Sequence, residues 1–403
     1  MNDILMPRRV GLVASVIVVI GMIFIFYLTP TYWALSETTP DLQTEIVLAG
    51  HTDDVLGALV LANGHILSWS DDNTLRLWDA DGTTLATLTG HTGVINGGLE
   101  LTDGRLLSWG GDNTLRLWDA DGNPLATLSG YKYGVTGAIE LPDGRILSWG
   151  DNILQLWDVD GMLLTTLTGH HYPINGAQVL SNGRILSWGL DDAMLLWDTN
   201  GVLLATLTGH RSIVSGAIEL SDSRLLSWSL DYTLRLWDAD GMLLTTLTGH
   251  TSVVNGAIEL SDGRLLSWGY DNTLRLWDAD GMLLTTLTGH TSVVNGAIEL
   301  SDGRLLSWGY DNTLRLWDAD GMLLTTLTGH THFVEGAIEL SAGNLLSWGL
   351  DGTLRLWNGE GNSLTTLIGH ADVVNGAIEL TDGRLLSWSN DDTLRLWDVE
   401  GNP

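Results

Sequence analysis

From Thr44 onward the chain repeats every 40 residues, and this constrains its fold more than any other property. Trp-Asp pairs begin at Trp78, Trp118, Trp157, Trp197, Trp237, Trp277, Trp317 and Trp397, with Trp357-Asn358 as the variant. Gly-His pairs end at His51, His91, His170, His210, His250, His290, His330 and His370, with Tyr131 in the remaining place. One spacing is 39, because the third copy lacks a residue in Ser148–Asn152. Residues 241–280 and 281–320 are identical at every position, which points to recent duplication. So short a unit cannot bury a hydrophobic face alone, so successive copies must stack and share their cores.

Inside each unit the apolar period is two, which predicts strands. In the sixth unit the strands fall at 253–260, 264–268, 273–278 and 283–287, separated by turns at Ser261-Asp262-Gly263, Tyr270-Asp271-Asn272 and Ala279-Asp280-Gly281. Asp-Gly supplies the positive φ that a tight hairpin needs. Four short antiparallel strands per unit make one propeller blade. The ninth unit ends after its third strand, at Trp397-Asp398, while a spare strand at Glu45–Ala49 precedes the first unit. Pairing the two removes both exposed edges. The expected fold is therefore all-β: a single closed nine-bladed propeller of four-stranded antiparallel blades over residues 44–403, preceded by one transmembrane helix.

That helix is expected at residues 10–28, a charge-free run about as long as a bilayer core is thick, roughly 30 Å. Arg8 and Arg9 precede it, and Tyr27, Tyr32 and Trp33 mark its far end. The positive-inside rule leaves residues 1–9 in the cytoplasm and, beyond a linker at 29–43, the propeller outside the cytoplasmic membrane. A cleaved signal peptide and a buried core helix are the competing readings.

A Gly-His pair, about 26 residues, then Trp-Asp, with S-x-x-x-D-x-T-x-x-x-W inside, resembles the WD-repeat β-propeller family over roughly residues 44–398. The resemblance implies a buried tetrad in each blade: His250, Ser267, Asp271 and Trp277 in the sixth, and His51, Ser68, Asp72 and Trp78 in the first. Family members more often have seven or eight blades. The third unit departs from the pattern, with Tyr131 for His and Ile153 for Thr, and should form the loosest blade. The fourth has Ala193 at that Thr position.

Chemistry is sparse. A formal net charge of −31 argues against nucleic acid and against anionic lipid surfaces. The absence of Cys removes thiolate sites. Repetition offers the same group nine times, whereas an active site needs different groups at one place. No catalytic, cofactor or metal site is expected. The repeated histidines read as structural, and the Trp-Asp-Ala-Asp-Gly turns as hairpins with too few oxygens for calcium. Glu100, Glu140, Glu219, Glu259, Glu299, Glu339 and Glu379 are expected to pair with repeated arginines such as Arg264 and Arg275. A second tryptophan circle, Trp69, Trp109, Trp149, Trp188, Trp228, Trp268, Trp308, Trp348 and Trp388, could pack between blades or stack on sugars.

One feature does not follow the repeat. The residue before the tetrad aspartate reads Asp71, Gly111, a deletion, Leu190, Leu230, Tyr270, Tyr310, Leu350 and Asn390. The apolar tips form an arc, which Tyr131, Tyr133 and Tyr172 extend on one side and Phe333 on the other. Grouped apolar residues are an interface signal. The expected function is a non-enzymatic, membrane-anchored protein-interaction scaffold whose arc docks a protein partner. The alternatives are a glycan-binding ring using the second tryptophans and, more remotely, an enzyme with its site in the third and fourth units.

Overall fold

The computed structural model describes residues 46–398. The expected cytoplasmic N-terminus at 1–9, transmembrane helix at 10–28 and linker at 29–43 lie outside them; among the described residues no helix is long and apolar enough to cross a membrane. Among the described residues every regular element is a strand, and the strands form nine four-stranded sheets. In the sixth blade they are Val254–Glu259, Leu265–Gly269, Leu274–Trp277 and Leu283–Leu287. The third blade is the irregular one, and its first strand shrinks to Gly137–Glu140.

Ring closure is as expected. Ile46–Ala49 pairs antiparallel with Thr393–Trp397, Ile46 opposite Leu396 and Ala49 opposite Thr393. There is no single central core. Each apolar cluster lies between two neighbouring blades: Leu266, Leu274, Leu276 and Leu287 of the sixth blade pack with Val294, Leu305 and Trp317 of the seventh. An equivalent cluster joins Leu48, Leu386, Leu394 and Leu396 of the ninth blade to Val55, Ile66 and Trp78 of the first. Each blade is thus half of two cores, the packing of a quasi-one-dimensional repeat closed on itself.

The glutamates correct an expectation. Glu259 does not pair with Arg264 or Arg275. Its carboxylate accepts the N–H and hydroxyl of Ser221 in the preceding blade, at 2.7 and 2.8 Å. Arg264 instead pairs with Asp262 in its own turn, and Arg275 reaches Thr286 and Asp271. Glutamate wins the inter-blade position because two well-aimed donors suit a carboxylate better than one mobile cation at an exposed surface. The clasp recurs from Ala62–Glu100 to Ser341–Glu379. Among the described residues it is missing at two junctions. Between the third and fourth blades Pro142 has no N–H to give and Gln178 replaces the glutamate; between the ninth and first Val60 does.

Candidate functional site

The tetrad is built from the second and third strands, the turn between them and the Gly-His loop. In the sixth blade His250 Nδ1 lies 2.9 Å from Asp271 Oδ2, and Nε2 2.9 Å from Ser267 Oγ. Trp277 Nε1–H donates to the same hydroxyl at 2.9 Å. These contacts assign the tautomer: Nδ1–H donates to the carboxylate, and Nε2 accepts the Ser267 proton. Asp271 also accepts from the N–H of Thr251 and the hydroxyl of Thr273. Burial pushes its carboxyl up, but the bonds from His250 and Thr251 outweigh burial and hold it well below the usual carboxylate range. Burial likewise draws the His51 and His91 imidazoles down, against the pull of Asp72 and Asp112. Every polar hydrogen of the network is committed, as a buried structural network requires. The fourth blade keeps the histidine, serine, aspartate and tryptophan contacts despite Ala193.

The third blade substitutes a different network. Tyr131, expected on the docking surface, is buried. Its hydroxyl takes the histidine's place, 2.8 Å from Ser148 Oγ, and Trp157 Nε1–H still donates to that serine. The phenol fits because its ring fills the imidazole's space and its oxygen reaches as far as Nε2. It has no second polar atom for the aspartate. Asp151 therefore accepts only backbone N–H groups, from Lys132 at 3.0 Å and Tyr133 at 3.1 Å. The missing residue shortens the second turn to Asp151-Asn152 and leaves Asp151 at φ 51°, where the sixth blade has Asn272 at 62°.

The second tryptophans turn inward. Trp149, Trp188, Trp228, Trp268, Trp308, Trp348 and Trp388 are buried, and Trp69 and Trp109 half-buried. Trp268 Nε1–H donates to the Asn295 carbonyl of the next blade at 3.2 Å. Each indole lies over a first-strand glycine, and a Cβ on Gly256 would overlap the Trp268 ring. This Gly–Trp coupling was readable as an invariant pair in all nine units, but its meaning needed the cross-strand register, which sets Gly256 opposite Trp268. The glycine-bearing turns behave as expected: Asp278 Oδ1 accepts the N–H groups of Asp280 and Met282, with Gly281 at φ 86°.

The tips sit beside the Gly-His loops. The N–H of Tyr270 donates to Val253 O, that of Leu230 to Ile213 O and that of Leu190 to Pro173 O. Leu190, Tyr270, Tyr133, Tyr172 and Phe333 are exposed, whereas Leu230, Tyr310 and Leu350 are half-buried. Tyr310 stacks on Phe333 of the next blade, ring centroids 4.4 Å apart and planes at 13°. The Tyr310 tip thus leans across to the neighbouring blade. The sequence reading missed Tyr232, which is 45% exposed and holds φ at 71°. A bulky residue in the left-handed region is an outlier. It stands where the sixth and seventh blades have Asn272 and Asn312 and the eighth Gly352, and that substitution was the available signal.

At the closing seam the same face is acidic. Asp53, Asp54 and Asp392 bring carboxylate oxygens within 4.8 Å of one another. Burial, then the charges of Asp71 and Asp53, push the Asp54 carboxyl up.

A family model described as WD domain, G-beta repeat, matches residues 42–79, 82–119, 201–238, 241–278, 281–318 and 361–398, more than half of the chain. No curated protein matches it. Among solved structures, the computationally designed Ika8 protein is similar over 87% of this chain and 98% of its own, with a TM-score of 0.60 and 23% identity. That likeness is one of fold. The WD40 β-propeller domain of Doa1 aligns over 68% of this chain and 95% of its own, at 26% identity and a TM-score of 0.47.

Proposed function

The chain belongs to the WD-domain, G-beta-repeat family, and from that premise we propose that it is a non-enzymatic protein-interaction scaffold. We further propose that residues 10–28 hold it in the cytoplasmic membrane with the propeller outside. The support for that placement is the length of the uncharged run and the Arg8-Arg9 flank. The observation that carries the scaffold reading is the arc. The tetrad follows the repeat in every blade but the third; the apolar tips, exposed or half-buried, occupy consecutive blades only, and Tyr232 beside them is kept at a backbone angle that costs on the order of 1 kcal/mol. Strain retained at an exposed aromatic is a mark of selection for contact rather than for stability. A protein partner is favoured over a glycan because the second tryptophans spend their flat faces between blades.

The test uses the full-length chain in detergent, cross-linked to its partner and recovered. Leu230→Ser, Tyr270→Ser and Tyr310→Ser together should abolish capture at some cost in melting temperature, because the Tyr310–Phe333 stack is lost; Tyr270→Ser alone, at an exposed tip, should weaken capture with the melting temperature nearly unchanged. Tyr232→Asn should weaken capture and raise the melting temperature, because it removes both the contact and the strain. Capture that survives these variants would place the partner elsewhere. For the membrane placement, protease added to intact spheroplasts should digest the propeller, and full protection would contradict it.

A further inference from the structure

The face that carries the tips is polarised, and its cationic sector coincides with the place where the repeat breaks. The residue after the Gly-His histidine reads Thr52, Thr92, Lys132, His171, Arg211, Thr251, Thr291, Thr331 and Ala371 around the ring. Three successive blades put a basic side chain where the others put Thr or Ala, and Lys132 is the only lysine in the chain. All three side chains are exposed. Their backbone N–H groups donate to the aspartates Asp151, Asp191 and Asp231 at 3.0, 3.2 and 2.9 Å, so the blade framework fixes where each side chain emerges.

Lys132 and His171 line a cleft of about 460 Å³ with Tyr133, Asn152, Ile153 and Pro173; Asp151 also lines it, its carboxylate held by the Lys132 and Tyr133 N–H groups. The cleft arises from the departures already described. The shortened turn withdraws one residue, and Ile153 replaces a threonine that elsewhere donates to the aspartate. The Lys132 ammonium lies 4.8 Å from the Tyr133 ring centroid, an exposed and therefore weak cation–π contact, so it is poised rather than locked. Across the ring, beyond the far end of the arc, the seam presents Asp53 and Asp54 on a Gly-His loop and Asp392 on the turn before the last strand. A segment docked along the arc therefore meets positive charge at its third-to-fifth-blade end and stops short of the acidic seam.

We propose that the Lys132–His171–Arg211 sector binds an acidic segment of a protein partner, its carboxylates on the Lys132 and Arg211 cations with His171 as a hydrogen-bonding neighbour, and its apolar side chains against Tyr133 and Tyr172. This rests on the reading of the same face as a docking surface and adds the chemistry that it selects. The net charge of −31 repels such a partner at long range. At physiological salt, charges more than about 8 Å away are largely screened, so the local cations govern the docked state.

The probe is a fluorescein-labelled peptide of four Glu-Leu-Tyr triplets, compared with its Gln and its Lys counterparts by anisotropy on the full-length chain in detergent. The Glu peptide should bind at least tenfold tighter than the Gln peptide. Lys132→Gln, His171→Gln and Arg211→Gln together should remove that preference without moving the melting temperature, and Leu230→Ser/Tyr270→Ser/Tyr310→Ser should retain it. Equal binding of the Glu and Gln peptides, tighter binding of the Lys peptide, no binding of any, or a preference that survives the glutamine variant would each overturn the proposal. So would phosphatidylserine vesicles that bind through the same three residues while the peptides fail. If the peptide preference fails but the tip variant still abolishes partner capture, this inference falls and the docking reading stands. If the tip variant leaves capture intact, the docking reading falls whatever the peptides do.

Discussion

The third and sixth blades solve one problem with different parts. Both must satisfy a buried serine hydroxyl and a buried indole N–H, and both do: Trp157 donates to Ser148 as Trp277 donates to Ser267. The sixth blade passes that satisfaction outward through a histidine to an aspartate. The third stops at a phenol, and the aspartate is left to two backbone groups. Four further changes cluster there: a shorter turn, Ile153 for Thr, Gln155 for Arg and Pro142 with Gln178 in place of the clasp. The inner half of the network is obligatory because nothing else reaches the buried serine. The outer half is near solvent and dispensable, and the blade that gave it up gained an open cleft.

The largest test of that division is removal of the aspartate. Asp271→Ala strips partners from His250, Thr251 and Thr273 and should cost about 2–3 kcal/mol, read as lost amide-exchange protection in the sixth blade. Asp151→Ala should cost less than about 1 kcal/mol, since water can serve two N–H groups near the surface. Equal losses would break the comparison. The sign with pH is fixed by the direction of the shift. Because the folded state holds the Asp271 carboxyl below its unfolded value of about 3.9, its contribution is present above that pH. It is lost as pH falls through the folded value. The Asp271→Ala penalty should therefore be full at pH 7 and shrink below about pH 4.

Next is Tyr131→His. In the sixth blade a histidine completes the network; in the third it should not, because the shortened turn leaves Asp151 bonded to Lys132 and Tyr133. The substitution also leaves a void in the cluster that holds Leu117, Leu128 and Val135. A loss of about 1–2 kcal/mol is expected. Inserting one residue after Gly150, with Ile153→Thr, should recover most of it. Stabilisation by Tyr131→His alone would show that the turn already permits a full tetrad.

Much of this was legible in the sequence, for a physical reason. The repeat multiplies every weak signal by nine, so strand period, turn glycines, blade count and the closure by residues 46–49 were all readable. What escaped depends on contacts between blades. Glu259 has arginines near it in sequence, yet its donors sit on Ser221, 38 positions earlier, and only the ring brings them together. Tyr131 carried an aromatic's surface signal, but its register made it a histidine substitute. Tyr232 was overlooked because an aromatic where others have asparagine says little until its backbone angle is known.

The smallest effect concerns the clasp, where the two blades differ at their rims. The sixth is joined to the seventh by the Ser261 N–H and hydroxyl on Glu299, at 2.7 Å each. The third is joined to the fourth by nothing equivalent, because proline removes the donor and Gln178 the charge. Pro142→Ser with Gln178→Glu should install the missing bonds. Hydrogen bonds to a charged acceptor contribute about 1.5–3 kcal/mol when shielded, but this rim is exposed, so a gain near 0.5–1 kcal/mol is expected. Part of it is offset, since proline also restricts the unfolded chain by some 0.4–1 kcal/mol. The two substitutions must therefore be compared with each alone. The serine without the glutamate should be neutral or destabilising, and the glutamate without the serine should add an unpaired charge. Only the pair should raise the exchange protection of Gly137–Glu140. If each single change raises it as much as the pair does, the clasp is not what separates the two blades, and the short first strand of the third blade has another cause.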